Sequence, residues 1–155
     1  MRTTGSNRSL ILAALAFVTL VSASKGQTTG GPYQLYTLTP CRLVDSRINL
    51  GATIFSGGAT QNVTVKSRCA VPMTAKAVVI NVTGIGPTVQ GFFALWPSGT
   101  TYPGTSVLNL NAGEPALGNG AIVGVSAGTP DLSVVFGTAG GGTSHVIIDV
   151  VAYFQ

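Results

Sequence analysis

The residues best suited to covalent chemistry in this chain are Ser126, His145 and the four carboxylates Asp45, Glu114, Asp131 and Asp149. Gly124-Val125-Ser126-Ala127-Gly128 has the Gly-x-Ser-x-Gly spacing of a nucleophile elbow, in which a strand turns sharply into a helix and leaves the serine hydroxyl exposed. Thr129-Pro130 and the β-rich run Leu132 to Phe136 follow instead of a helix, so Ser126 reads as a turn residue. His145 and Asp149 share one face of a strand, but four residues of strand hold them about 13 Å apart, beyond the reach of a hydrogen-bonded relay. A triad cannot be assembled locally, and only long-range folding could pair two carboxylates, so no catalytic role is expected.

Cys41, Cys69 and His145 are too few to fill a tetrahedral zinc site without carboxylate help, and no short paired ligand spacing occurs. No metal or other cofactor is expected. In an exported chain an even cysteine pair is expected to be oxidised, and a Cys41–Cys69 bridge would close a loop of about 28 residues.

Export is suggested by the first residues, where Arg2 and Arg8 precede the apolar run Leu10 to Val21. The run is shorter than the roughly 20 residues of a membrane span, and Val21-Ser22-Ala23 supplies small residues for cleavage before Ser24. Residues 1–23 are therefore read as a signal peptide, with a cut near Gly26 or an uncleaved anchor as the alternatives. The formal net charge of +4 includes Arg2 and Arg8, so the remaining chain keeps six cations against four anions. Lys25, Arg42, Arg47, Lys66, Arg68 and Lys76 form no dense basic face, which argues against nucleic-acid binding. After cleavage no later segment is long and apolar enough to hold the chain in a membrane.

About 130 residues remain, enough for one core. From Tyr33 onward, short β-prone runs alternate with Gly, Pro, Ser, Thr and Asn, and no helical periodicity persists. Strands are predicted at 34–38, 41–45, 61–65, 75–82, 91–96, 106–110, 121–125, 132–136 and 145–154. The expected fold is all-β, a two-sheet sandwich or jelly roll of eight or nine strands over residues 40–155. In the last run Val146, Ile148, Val150, Ala152 and Phe154 make one apolar face opposite His145, Asp149 and Tyr153, the pattern of a central strand.

Asp45 and Asp149 sit inside β-rich runs, where a carboxylate taken from water needs a partner. Arg42 and Arg47 are placed to supply one, so Arg42, Asp45, Arg47 and Asp149 are expected to tie the first strand to the last. Phe92, Phe93, Trp96 and Tyr102 gather around the Trp96-Pro97-Ser98-Gly99 turn. Exposed Trp96 and Tyr102 rings would make a platform for sugar faces; the alternative is that Phe92 or Phe93 and Trp96 fill the core. Asn62-Val63-Thr64 and Asn81-Val82-Thr83 are glycosylation sequons, each within a predicted strand.

Pro40-Cys41-Arg42-Leu43-Val44-Asp45-Ser46-Arg47 resembles the opening signature of a widespread, largely uncharacterised family of secreted bacterial β-domains. Cys69-Ala70-Val71-Pro72, Ala75-Lys76-Ala77-Val78, Asn81-Val82-Thr83, Gly91-Phe92-Phe93, Pro103-Gly104-Thr105-Ser106 with Asn109, and Asp149-Val150-Val151-Ala152-Tyr153-Phe154 follow in the family's order. Ala152 stands where that family usually has Gly. The resemblance spans about 40–154 and implies an extracellular sandwich or jelly roll with no agreed activity and no catalytic residues to carry over. It also implies that Cys41 and Cys69 pair, and the single-domain form looks like a subunit of extracellular fibrils.

Residues 24–39 read as an extension that begins flexible and becomes β-prone at Tyr33, Gln34, Leu35, Tyr36, Thr37 and Leu38. Laid into a neighbour's sheet, such a strand generates a non-closing homopolymer; the alternative is pairing within its own domain. The expected function is a secreted structural protein, a fibre or cell-surface subunit whose partner is itself. A carbohydrate-binding or adhesive module, with surface polysaccharide as partner, is the other expectation.

Overall fold

The computed structural model describes residues 31–155; the leader reading of residues 1–23 and the first part of the extension lie outside the described residues. Nine strands follow in order: β1 (Leu35–Asp45), β2 (Phe55–Ser56), β3 (Thr60–Val63), β4 (Ala77–Ile85), β5 (Gly91–Pro97), β6 (Leu108–Leu110), β7 (Leu117–Gly124), β8 (Leu132–Gly137) and β9 (Thr143–Phe154). One sheet has the order β1-β9-β4-β7, with the short β2 also paired to β9, and the other is β3-β8-β5-β6. All neighbours are antiparallel. The pairs β1/β9, β3/β8, β4/β7 and β5/β6 are nested, as in one long antiparallel ribbon. Rolling that ribbon so that β4 meets β9 and β5 meets β8 closes a jelly roll, which leaves few long edges to protect.

Alternation drives the closure. Along β4, Val78, Ile80 and Val82 turn inward while Ala77, Val79, Asn81 and Thr83 stay partly exposed. Along β9, Val146, Ile148 and Val150 are fully buried, and the strand is central as its pattern requires. The facing sheet contributes Phe93, Leu95, Leu132, Val134 and Phe136. Phe93 packs edge-on to Phe55 at 5.5 Å between centroids and lies 5.2 Å from Phe136. Gly84 interrupts the inner face of β4 because a Cβ there would stand inside the Leu110 side chain.

Three differences from the sequence expectation bear on the architecture, besides shifted strand ends such as that of β7, which starts at Leu117 rather than at 121. The runs at 34–38 and 41–45 are one strand, β1, because a register shift between Thr37 and Cys41 absorbs Pro40, which has no N–H for the ladder. The sandwich therefore begins near Gln34 rather than at residue 40, and Gln34 N–H donates to the Gln155 carbonyl at 2.9 Å. β2 was not expected: two residues carry too little periodicity to be read as a strand, yet Phe55 is fully buried.

The donor-strand expectation for Tyr33, Gln34, Leu35, Tyr36, Thr37 and Leu38 is corrected by the same observation. Leu35, Tyr36 and Thr37 pair with Phe154, Tyr153 and Ala152 of their own domain. The Tyr36 and Tyr153 rings stack at 5.1 Å and 14°. The bulge at Pro40 keeps the extension in line with the rest of β1, so its backbone groups find the end of β9 instead of a neighbour's sheet.

Candidate functional site

Arg42 and Asp149 stand opposite each other in the β1/β9 ladder. Arg42 Nε donates to Asp149 Oδ1 at 2.9 Å and Nη2 donates to Oδ2 at 3.3 Å, a two-point grip. Arg47 grips Asp45 in the same way, Nε to Oδ1 at 2.9 Å and Nη2 to Oδ2 at 2.7 Å, while its own backbone N–H also reaches Oδ1 at 3.2 Å. Arg42 Nη1 closes the chain on Asp45 Oδ2 at 3.5 Å. Asp45 is only 3% exposed, and hydrogen bonding from Arg47 holds its carboxyl down at about 2. The Arg42 guanidinium is pushed up chiefly by its hydrogen bond to Asp149, and that of Arg47 by its bond to Asp45. The four residues named from sequence thus form one connected network between the first and last strands.

The Cys41–Cys69 bridge is formed, with 5.6 Å between Cα atoms. It ties β1 to the loop after β3, a bridge that fits an oxidising environment. In that loop Ser67, Cys69 and Ala70 all adopt positive φ, a conformation costly for residues with a Cβ.

The residues considered for nucleophilic catalysis are dispersed. Ser126 occupies the β7–β8 turn and its hydroxyl donates to the Gly128 carbonyl at 3.2 Å. The serine that meets His145 is Ser46, with Oγ 3.1 Å from Nδ1, and Ser46 is 1% exposed and already accepts the Val146 N–H at 2.8 Å. A hydroxyl so enclosed has no approach for a substrate; the contact pins β9 to the end of β1. Asp131 is fully buried and accepts the backbone N–H groups of Val65 and Lys66 at 2.8 and 2.9 Å. Lys66, also buried, reaches the Ser126 carbonyl with Nζ at 2.5 Å. Among the described residues no group of three or more His, Cys, Asp or Glu side chains converges on a metal position.

The aromatic cluster divides between two places. Phe93 belongs to the main core. Trp96 lies on the outer face of the four-stranded sheet, but it is only 8% exposed, its Nε1–H donates to the Thr100 carbonyl at 3.1 Å, and Tyr102 packs on it at 5.3 Å. The Trp96 half of the expected sugar platform is thus closed by its own loop, while Tyr102 remains exposed. Phe92, half-buried beside Gly137, is the other ring on that face that keeps partial exposure.

Both sequon asparagines lie in strands, although Thr64 falls just past the end of β3. Asn62 is exposed on β3 and its Oδ1 accepts the Ser133 hydroxyl at 2.8 Å; Asn81 is half-buried on β4 and its amide donates to Thr83 at 3.0 Å.

Two features were not anticipated from sequence. One is the outer edge of β7, where Leu117 and Ile122 are 42% and 65% exposed. The other is a depression of about 370 Å³ beside Phe92, lined by Gln90, Asn109, Asn111 and Thr138 among others. Neither has a sequence signature, because each depends on which strands end up at an edge or side by side. Comparison of the chain with protein-family models and with curated proteins finds no match.

Proposed function

We propose that this is a secreted structural protein whose copies join edge to edge into an open polymer. The observation that carries the reading is the pair of uncovered edges on the larger sheet. Among the described residues β7 pairs only with β4, and β1 pairs with β9 apart from a bridge of Asp45 to Leu50. An edge strand offers a row of N–H and C=O groups to any matching strand, and proteins that must stay apart blunt such edges with Lys, Pro, inward charges or shortness. Leu117–Gly124 carries no charge and no proline, and three of its residues are glycine, whereas β1 carries Pro40, Arg42 and a register shift, so β7 is the less protected of the two edges. By contrast β3 and β6, the edges of the smaller sheet, have only four and three residues.

Strand direction is compatible with an unlimited chain. The path β1-β9-β4-β7 contains four antiparallel strands, so β1 and β7 point in opposite directions. A copy displaced along the sheet therefore sets its β1 antiparallel to the first copy's β7 and continues the alternation. Such a heterologous contact does not close on itself. The leader reading of residues 1–23 and the disulfide support a location outside the cytoplasm.

The test is negative-stain electron microscopy of the chain secreted from its natural leader, alongside Ile122→Lys. Ile122 is 65% exposed, so the change leaves the core intact and places a charge on the joining strand. Filaments in the parent and their loss in the variant are expected. Single particles of both proteins at high concentration would sink the reading.

A further inference from the structure

Amide side chains in this protein are mostly occupied. Gln34, Gln61, Asn62, Asn81, Asn119 and Gln155 all make side-chain hydrogen bonds. Gln90, Asn109, Asn111 and Asn49 make none among the described residues, and the first three surround the same depression on the outer face of the smaller sheet. Each retains two donors and an acceptor.

Phe92 forms the centre of that surface. In the ladder it stands between Gly137 of β8 and Asn109 of β6. A Cβ built on Gly137 would lie 2.6 Å from both Cε1 and Cε2 of Phe92, and nearer still to Cζ. Equal distances of that size place the point above the ring plane rather than beyond its edge, so the ring lies flat on the glycine backbone. Its other face is turned away from the sheet. A side chain at position 137 would prevent this, which gives the glycine a physical reason.

A second depression of about 250 Å³, lined by Gly58, Thr60, Trp96, Tyr102 and Val135, shares Phe92 and Gly137 with the first. Sharing these residues, the two depressions adjoin at the ring, with amides around the first and Tyr102 beside the second, and together they are termed the trough. No Asp, Glu, Lys or Arg lines either part among the described residues.

We infer that this trough binds a neutral polysaccharide, with a sugar ring laid on Phe92 and its hydroxyls bonded by Gln90, Asn109 and Asn111. A sugar has one apolar C–H face, which suits an aromatic ring, and a rim of hydroxyls that both donate and accept, which suits amides. An uncharged lining leaves a carboxylated or sulfated polymer without a counter-charge. The site goes beyond the assembly proposed above and lies on the other sheet, so either can fail alone.

The test is native affinity electrophoresis through gels containing a soluble β-glucan, a galactomannan or alginate, with Ile122→Lys as the parent background so that assembly does not enter the reading. Fluorescence of Trp96, the single tryptophan, supplies a second readout at the trough's edge. The parent should be retarded by at least one of the neutral polymers. Asn109→Ala combined with Asn111→Ala should weaken that binding roughly tenfold or more, as expected for two lost hydrogen bonds. Asn49→Gly, at an exposed amide away from the trough whose backbone has a φ of 58°, should bind like the parent, and circular dichroism of all three proteins should coincide. Free migration in both neutral gels, retardation by alginate alone, or an Asn109/Asn111 variant as tightly held as the parent would each overturn the assignment.

Discussion

Breaking the Cys41–Cys69 bridge gives the sharpest stability test, because its effect can be worked from chain length. The cysteines are 28 residues apart. Closing a loop of that size removes roughly 12 cal/mol/K of entropy from the unfolded chain, about 3.5 kcal/mol at 25 °C. At a few degrees per kcal/mol for a domain of this size, Cys41→Ser with Cys69→Ser should lower Tm by roughly 10 °C or somewhat more. The network of Arg42 with Asp149 and the β1/β9 ladder remain, so far-ultraviolet circular dichroism at 20 °C should match the parent. Thermal melts of the parent, the double variant and the parent in reductant make the assay, with mass spectrometry to establish that the parent's sulfurs are joined. The reductant should bring the parent to the variant's Tm. A bridged parent that melts within 3 °C of the variant would refute the reasoning, since the loop would then already be restrained in the unfolded ensemble.

Three other outcomes follow from the same geometry. Asp149→Ala removes the two-point partner of Arg42 in a half-exposed setting and should lower Tm by a few degrees, read by the same melts. Because folding depresses the Asp45 carboxyl from 3.8 to about 2, its contribution is complete above the unfolded value and lost as pH falls from about 4 toward 2. Urea midpoints measured across that window should fall in the parent, and the fall should be shallower in Asp45→Asn. Gly137→Ala sets a methyl where the Phe92 ring lies, so it should lift the ring, reduce stability and weaken any neutral-polymer retardation while leaving the β7 edge untouched.

What could be read from the residues follows from how local each signal is. β9 announces itself, since an alternation over ten residues fixes both its strand character and its buried face. The ion network was legible because Asp45 and Asp149 sit in runs that must be partly buried, and arginines adjacent in sequence narrow the choice of partner. The fate of the extension was not legible: Tyr33 to Leu38 has strand propensity, but propensity does not name the strand it pairs with. His145 meeting Ser46 was hidden for the same reason, 99 residues of separation being set by ladder register alone. Asp131 belongs here too, for a carboxylate that accepts two backbone N–H groups leaves no pattern in side-chain types. The trough required even more, namely that β6 and β8 flank β5 so that Asn109 and Gly137 border Phe92.

The placement of the two proposed surfaces leads to a final prediction. Joining through β1 and β7 consumes the edges of the larger sheet, while the trough occupies the outer face of the smaller one, so growth of a polymer does not cover it. Every added copy then presents one more trough along the same line. A single open site with one ring and a few amides is expected to bind weakly, but sites linked in a row hold a long polysaccharide at a high effective concentration. Affinity for the polymer should therefore depend on assembly even though the contacts at each site do not. The chain carrying Ile122→Lys should bind a short neutral oligosaccharide with the parent's Kd, and should bind the long polymer at least tenfold more weakly than the assembled parent. Equal affinity of the two proteins for the long polymer would mean that the troughs of neighbouring copies cannot engage one chain, and the arrangement of copies inferred from β1 and β7 would have to be abandoned.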